Sequence, residues 1–501
     1  MSIEVIGVIL AILGIYAMTS SLRLGVYMLC LCTLLGAAAA LKLPSVGGAN
    51  IQPFHFVLLF LAGGVVLRST ILAAALSSLR YPGPGFWFVL FALYSVLTAI
   101  FLPRMFADAT IVYSLARGNE FHQILSTPLA PSASNLTQAV YMLGGIACFA
   151  IVAGLGRLGH IMMIARALIV TGAVCIAFAI ADLVTYQTNT TELLAIIRNA
   201  NYRMLNDGDI AGFKRIVGSF PEAGAFGYVA LALFTFTLML ALERFPGRFL
   251  GPLVAALAVS LLLCTSTTAY VASAIIALIV LFFCTTRILR RQANLRHLVY
   301  IAVCLFAIPL LVMTVLLIPS ISDSIGNLLH ATLTTKLESQ SGEERMRWNV
   351  QAINSFLETS GMGAGLGSIR ASSFLVALLA NIGILGLALF FIFLFSLVRW
   401  VLQRRGAPPQ EQAIGIAALL ASIAQVTAAS ISAGVVDLGP LFMITAGLAT
   451  AYALGPAGKR AGFAADVQPP VRSFVLDGAA PDFGVSRPDL PISYAGGVPH
   501  V

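Results

Sequence analysis

The chain has 501 residues, 59% of them hydrophobic and only 10% charged, with a formal net charge of +9 at pH 7. Soluble domains carry about 25% charged residues, and a mean hydropathy of +0.95 leaves too little polar surface to face water. This excludes a soluble enzyme, a disordered chain and a disulfide-rich secreted domain. It points instead to a polytopic membrane protein whose spans are helices, because a segment in lipid must satisfy its own backbone hydrogen bonds.

In chain order, the first apolar runs are 3–20 and 24–41, separated by Arg23. The first lacks a basic leader and continues into the second, so no cleavable signal peptide is expected. A third run, 54–76, contains Arg68, whose long side chain is expected to snorkel to the interface. After 86–102 comes an outer connection at 103–134. The runs 135–156 and 163–185 follow, and the second holds Asp182, a carboxylate whose cost in lipid suggests a site. A second outer connection covers 186–225. Next are 226–242, 250–265 and 268–285, the last two split at a Thr-Ser-Thr-Thr stretch. The run 298–318 leads to a third outer connection at 319–373, and 374–398, 413–435 and 440–454 complete the set. These thirteen runs form one transmembrane domain over 1–455. The tail 456–501, rich in Pro, Gly, Ala and Asp, is expected to be disordered and cytoplasmic.

Basic residues fix the expected orientation. Arg23, Arg80, Arg157, Arg244, Arg248, Arg287, Arg290, Arg291, Arg296, Arg399, Arg404 and Arg405 fall on alternate connections. That side is assigned to the cytoplasm, so the positive charge calls for no nucleic acid; of the 12–14 spans the sequence allows, thirteen put the N-terminus outside and twelve put both ends inside. The seven cysteines sit in apolar runs without ligand spacing, and no outer loop carries a cluster of His or carboxylates, so neither disulfides nor a metal are expected. No Walker, HExxH or GxSxG motif is present.

The polar residues gather in the outer connections. Arg345 and Arg347 are suited to bidentate phosphate binding, or to pairing with Glu343 and Glu344. Lys214 and Arg215 are a similar pair. Glu222, just before an apolar run, is placed to act as a general base or to cap the helix that follows. The segment 342–358 has Met346, Val350, Ile353 and Phe356 near helical spacing and predicts an amphipathic surface helix. A glycine-rich turn at 361–367, including Gly365 and Gly367, offers a phosphate nest. Arg370 follows it and can face an anion. Trp348 can stack on a sugar ring or anchor the helix at the interface.

Four segments carry a family likeness: LPRMFADATIVYSLARG from Leu102, SNLTQAVYML from Ser134, VGSFPEAGAFGY from Val217 and SGEERMRWNVQAINSFLETSGMGAGLGSIRASSFLVALLANIGILG from Ser341. Together they resemble the bacterial O-antigen polymerase and O-antigen ligase superfamily (Wzy-type), in its exopolysaccharide polymerase branch. The last segment is similar to the family pattern of an arginine before a Trp-containing surface helix, followed by a glycine turn. Ligase-type members usually carry a His near 370–373. None stands there, which favours a polymerase and leaves the base unassigned.

The resemblance implies an all-α membrane glycosyltransferase of GT-C type in the bacterial inner membrane. It would join undecaprenyl-diphosphate-linked repeats at the periplasmic face, without metal or cofactor. Arg345, Arg347 and Arg215 would meet the diphosphate charge and Glu222 would be the base. Lys214, Arg370, Trp348, Gly365 and Gly367 would hold substrate. A flippase and a chain-length regulator are the expected partners besides membrane lipid. A ligase is the alternative within the family, and a polysaccharide flippase the alternative outside it. The gathering of polar residues in outer loops, without an internal repeat, favours an enzyme over a transporter.

Overall fold

The computed structural model describes residues 2–43, 49–113, 126–200, 209–210, 213–316 and 340–458. Parts of all three outer connections (114–125, 201–208, 211–212 and 317–339) and the tail from 459 lie outside the described residues, so the expectation of a disordered tail falls there.

The apolar runs are helical. The helices are α1 (Val5–Thr19), α2 (Leu22–Cys32), α3 (Pro53–Val66), α4 (Ser69–Ser77), α5 (Pro84–Met105), α6 (Ala133–Leu155), α7 (Ile161–Gln187) and α8 (Ala223–Leu242). They continue with α9 (Leu250–Leu263), α10 (Thr267–Leu289), α11 (Leu295–Ala302), α12 (Ile308–Leu316), α13 (Gln340–Glu358), α14 (Phe374–Gln403), α15 (Pro409–Ile431) and α16 (Pro440–Leu454). Strands are short. β1 (Ser2–Ile3), β2 (Leu41–Leu43) and β3 (Ala49–Ile51) form one antiparallel sheet. β4 (Ile111–Tyr113) with β5 (Ser126–Pro128), and β6 (Asp209–Ile210) with β7 (Phe213–Lys214), form two ribbons.

Six helical stretches among the described residues are long and apolar enough to cross a membrane, or seven if the bent pair α3–α4 counts as one. The chain is an all-α, multi-pass membrane protein. Several apolar helices are shorter: α2, α9 and α16 have 11, 14 and 15 residues, or roughly 16–22 Å at 1.5 Å per residue.

Breaks between helices have local causes. One stretch of 55 residues, Ala133–Gln187, is divided by Gly159 at φ 95°, which separates α6 from α7 where two runs were expected. α9 and α10 part at Thr265, φ 44°, at the expected polar stretch. The run 54–76 is a correction, because α3 and α4 meet at 109°. Arg68 sits at the corner and does not snorkel. Its guanidinium donates to Met18 O at 2.9 Å, Gly64 O at 2.7 Å and Thr19 O at 3.0 Å. One cation thereby satisfies the carbonyls left over at the ends of α1 and α3.

The helices run between two chemically different ends. At one, Arg157 donates to Gly455 O and Ser77 Oγ, Arg404 pairs with Glu411, and Arg287 pairs with Glu243 at 2.9 Å. At the other, Asn135 donates to Leu366 O, Ser219 to Leu34 O and Tyr228 to Leu438 O. Between them, every α16 residue from Leu441 to Leu454 is buried. Close approach there needs small residues: a Cβ on Gly447 would lie 2.9 Å from Phe149 O, and one on Gly415 only 2.1 Å from Tyr452 Cδ1.

Candidate functional site

The end opposite the Arg157–Arg404 cluster carries the residues singled out by sequence. α13 lies across it. Its inner face is Ala352 and Ser355, continued by Thr359 just past its end, all fully buried; Ser355 meets Thr110, the residue before β4, at 2.9 Å, and Gln351 donates to Ile111 O of β4 at 2.6 Å. Its outer face exposes Met346, Val350, Ile353 and Leu357. This is the expected amphipathic helix, with Leu357 rather than Phe356 completing the apolar stripe.

Helical geometry separates the two competing arginines. Residues two apart on a helix point about 200° away from each other. Arg347 is exposed, whereas Arg345 is half-buried and close enough to Arg215 for their charges to repel. Arg215 follows β7 and is half-buried; its Nε is buried and makes no hydrogen bond among the described residues. Burial pushes its pKa below the ordinary arginine value. Arg345 works in the same direction, and Cys264, Glu222 and Tyr270 oppose it. The structure thus gathers Arg215, Arg345, Glu222 and Tyr270 from four separate parts of the chain.

Glu222 is the residue preceding α8, and its side chain makes no cap bond. A Cβ on Gly224 would lie 3.3 Å from Glu222 Oε1. The carboxylate therefore rests over the first turn of α8, where the helix dipole favours it, within electrostatic reach of Arg215.

Lys214 goes elsewhere. Neighbours along an extended segment point to opposite sides. Lys214 Nζ faces Asp182 at 3.9 Å and lies 4.9 Å over the Tyr186 ring, so it is not gathered with Arg215. Asp182 is a structural tie. Its Oδ1 takes Arg198 Nη2 at 2.7 Å, and its Oδ2 accepts the Val217 and Gly218 N–H groups at 2.8 and 3.0 Å. The apolar-run carboxylate that suggested a site instead holds the Arg215 segment in place, and sequence reasoning missed Arg198, its main partner.

The glycine turn is used for packing. Gly361, Gly363, Gly365 and Gly367 all have positive φ. A Cβ on Gly365 would lie 2.5 Å from Pro103 Cδ, and one on Gly367 2.8 Å from Ser134 O. Several of the N–H groups that a phosphate nest would offer are taken: Gly365 N–H by Asn381 O, Leu366 N–H by Thr98 Oγ1, and Ser368 and Ile369 N–H by Asn381 Oδ1. Gly365 and Gly367 let the turn fit against α5, α6 and α14, where Gly383 at φ 67° breaks the helix.

This turn delivers Arg370. Its N–H is fixed by Tyr113 O, and its guanidinium lies 5.0 Å from the Trp348 ring centre. Asn349 Oδ1 accepts the Ser372 N–H at 2.7 Å, locking the helix to the segment. A Cβ on Gly434 would be 3.9 Å from Arg370 Nε, which brings in the connection between α15 and α16. Among the described residues, no three His, Cys, Asp or Glu side chains are grouped as metal ligands.

Sequence reasoning also passed over Tyr270, Tyr228 and Asp437. Asp437 is the only acidic residue between Gln412 and Leu454, and that isolation is a signal. No protein-family model matches the chain, and no curated protein matches it.

Proposed function

We propose that the protein is a membrane-embedded glycosyltransferase that polymerises undecaprenyl-diphosphate-linked oligosaccharide repeats at the periplasmic face of the bacterial inner membrane. The observation that carries this reading is the convergence of Arg215 and Arg345 beside Glu222 and Tyr270, with the Arg215 Nε buried and unbonded. Two guanidiniums held close against their mutual repulsion favour a ligand with more than one negative charge. A departing diphosphate has that charge, and fixed cations stabilise it most where water is scarce. Trp348, braced by Arg370, offers a ring face for a sugar.

The same reading has thirteen crossings in a GT-C-like arrangement: α1–α3, α5–α10, α11 with α12, and α14–α16. The Arg157–Arg287–Arg404 end is cytoplasmic by the positive-inside rule. The candidate site then faces the periplasm, where lipid-linked repeats are presented, and the apolar stripe of α13 lies in the interface.

Deletion of the gene followed by analysis of lipid-linked intermediates tests the reading. Single lipid-linked repeats on the periplasmic face are the expected product. Long lipid-linked polymer would show a ligase, and repeats retained on the cytoplasmic face would show a flippase.

A further inference from the structure

α9 ends at Leu263 and α10 begins at Thr267, so a polar corner interrupts a nearly continuous apolar run. Thr265, Ser266 and Thr268 are all buried there. Thr265 has φ 44°, a left-handed conformation that is an outlier for a β-branched residue. It is 4% exposed, and its Oγ1 is buried without a hydrogen bond among the described residues. Hydroxyls buried in that state are uncommon and costly.

The corner presents donors rather than acceptors. The last four carbonyls of α9 are all occupied. Ser260 O takes the Cys264 N–H at 3.0 Å and Leu263 O takes the Ile216 N–H at 3.5 Å. Leu261 O takes the Cys264 thiol at 3.1 Å, and Leu262 O takes the Tyr270 hydroxyl at 2.6 Å. The negative end of the α9 dipole is thereby quenched. At the start of α10 the Ser266 side chain makes no cap bond, so it leaves the positive end of that dipole in place.

The Ile216–Leu263 bond ties the corner to the segment that carries Arg215. Arg215 Nε is itself buried without a hydrogen bond among the described residues. Cys264 and Tyr270, on either side of Thr265, lie within electrostatic reach of this arginine. α8 closes the corner from another direction: a Cβ on Gly227 would lie 2.8 Å from Ala269 Cβ and 3.5 Å from Cys264 Sγ. Two groups able to donate are therefore left unsatisfied on joined segments, beside a guanidinium charge and a helix N-terminus. An anionic oxygen matches all of these at once. Strained residues persist where the surrounding structure holds them, and ligand clamps are one such place.

We propose that the α9–α10 corner is part of the diphosphate site, with the Thr265 hydroxyl donating to a phosphate oxygen of the lipid diphosphate beside Arg215; this rests on the polymerase reading. Arg345 meets the same diphosphate from α13. Thr265 is then a binding residue.

The test is binding of farnesyl diphosphate, a short prenyl diphosphate, to the purified full chain, with a thermal melt of each variant. Thr265→Val, nearly isosteric, should lose roughly 10- to 100-fold in affinity, as expected for a hydrogen bond to a charged group. Thr265→Ser, which keeps the hydroxyl, should stay within threefold of wild type. Thr265→Gly relieves the left-handed backbone and also removes the hydroxyl. It should lose affinity as valine does, which keeps the test open if the valine variant does not fold. Affinity within threefold of wild type in a folded Thr265→Val or Thr265→Gly protein overturns the assignment and leaves the polymerase reading standing. A folded wild-type protein that does not bind farnesyl diphosphate brings down the diphosphate site, and with it the polymerase reading.

Discussion

Replacing Arg345 by alanine should abolish polymer, and replacing Arg347 should not. Both lie on one turn of α13, carry the same charge and have Glu343 and Glu344 nearby, so sequence treats them alike. The fold does not: Arg345 is half-buried and within electrostatic reach of Arg215, and Arg347 is exposed. Losing a charged hydrogen bond to a transition-state anion costs ~2.7–4 kcal/mol, roughly 100- to 1000-fold in rate. Losing an exposed ion pair costs ~0–1 kcal/mol. Arg345→Lys should recover little, because an ammonium keeps the charge but lacks the planar fork that matches phosphate oxygens. The assay is polymer yield and chain length on gels at matched protein level. Near-wild-type polymer from Arg345→Ala, or equal loss from Arg347→Ala, would refute the argument from burial and move the diphosphate contact off the inner face of α13.

Asp182→Asn should leave Arg198 buried without its counter-charge. Breaking such a pair costs ~3–5 kcal/mol, read as loss of folded protein in detergent melts before any effect on chemistry; an unchanged melt would remove Asp182 as the tie. Gly365→Ala should be far worse than Gly406→Ala. Both have positive φ, but a Cβ at 365 meets Pro103 Cδ at 2.5 Å whereas 406 opens on empty space, so overpacking adds ~1–3 kcal/mol; equal melting temperatures would contradict the packing role. A cysteine at Arg347 should react with an impermeant thiol reagent from the periplasm, and one at Arg291 should not. The reverse pattern would invert the orientation. On the proposed function, activity of the purified protein should survive EDTA, since guanidinium groups would carry the diphosphate charge; loss restored by Mg²⁺ would require a metal.

Much of this architecture was legible from apolar runs and basic connections. Residue spacing alone brought out the α13 surface helix and the break near Thr265, because both are written in local periodicity and polarity. The bend at Arg68 was not legible: whether a guanidinium snorkels or caps depends on Met18 and Thr19, which are fifty residues away. Arg345, Trp348 and Arg370 could be picked out by type and position. The difference between Lys214 and Arg215 needed the side to which each residue points. Gly365 and Gly367 looked like a phosphate nest because sequence cannot show that neighbouring N–H groups are already taken by Asn381 and Thr98. Asp437 went unnoticed for the opposite reason. A single acid in an apolar stretch is a signal, but it carries no motif that says what the acid does.

The burial of α16 on every side has a consequence for biogenesis. Helices leave the ribosome in chain order, and α16 is the last helix among the described residues, yet it is buried from Leu441 to Leu454. The faces of α6 and α15 that pack on α16 therefore gain that partner only after every other described helix has been made. Small residues such as Gly447 and Ala449 let α16 slide into a narrow gap without forcing its neighbours apart. A chain arrested before Pro440 would present α6 and α15 with their inner faces open, a state that membrane quality control can recognise and remove.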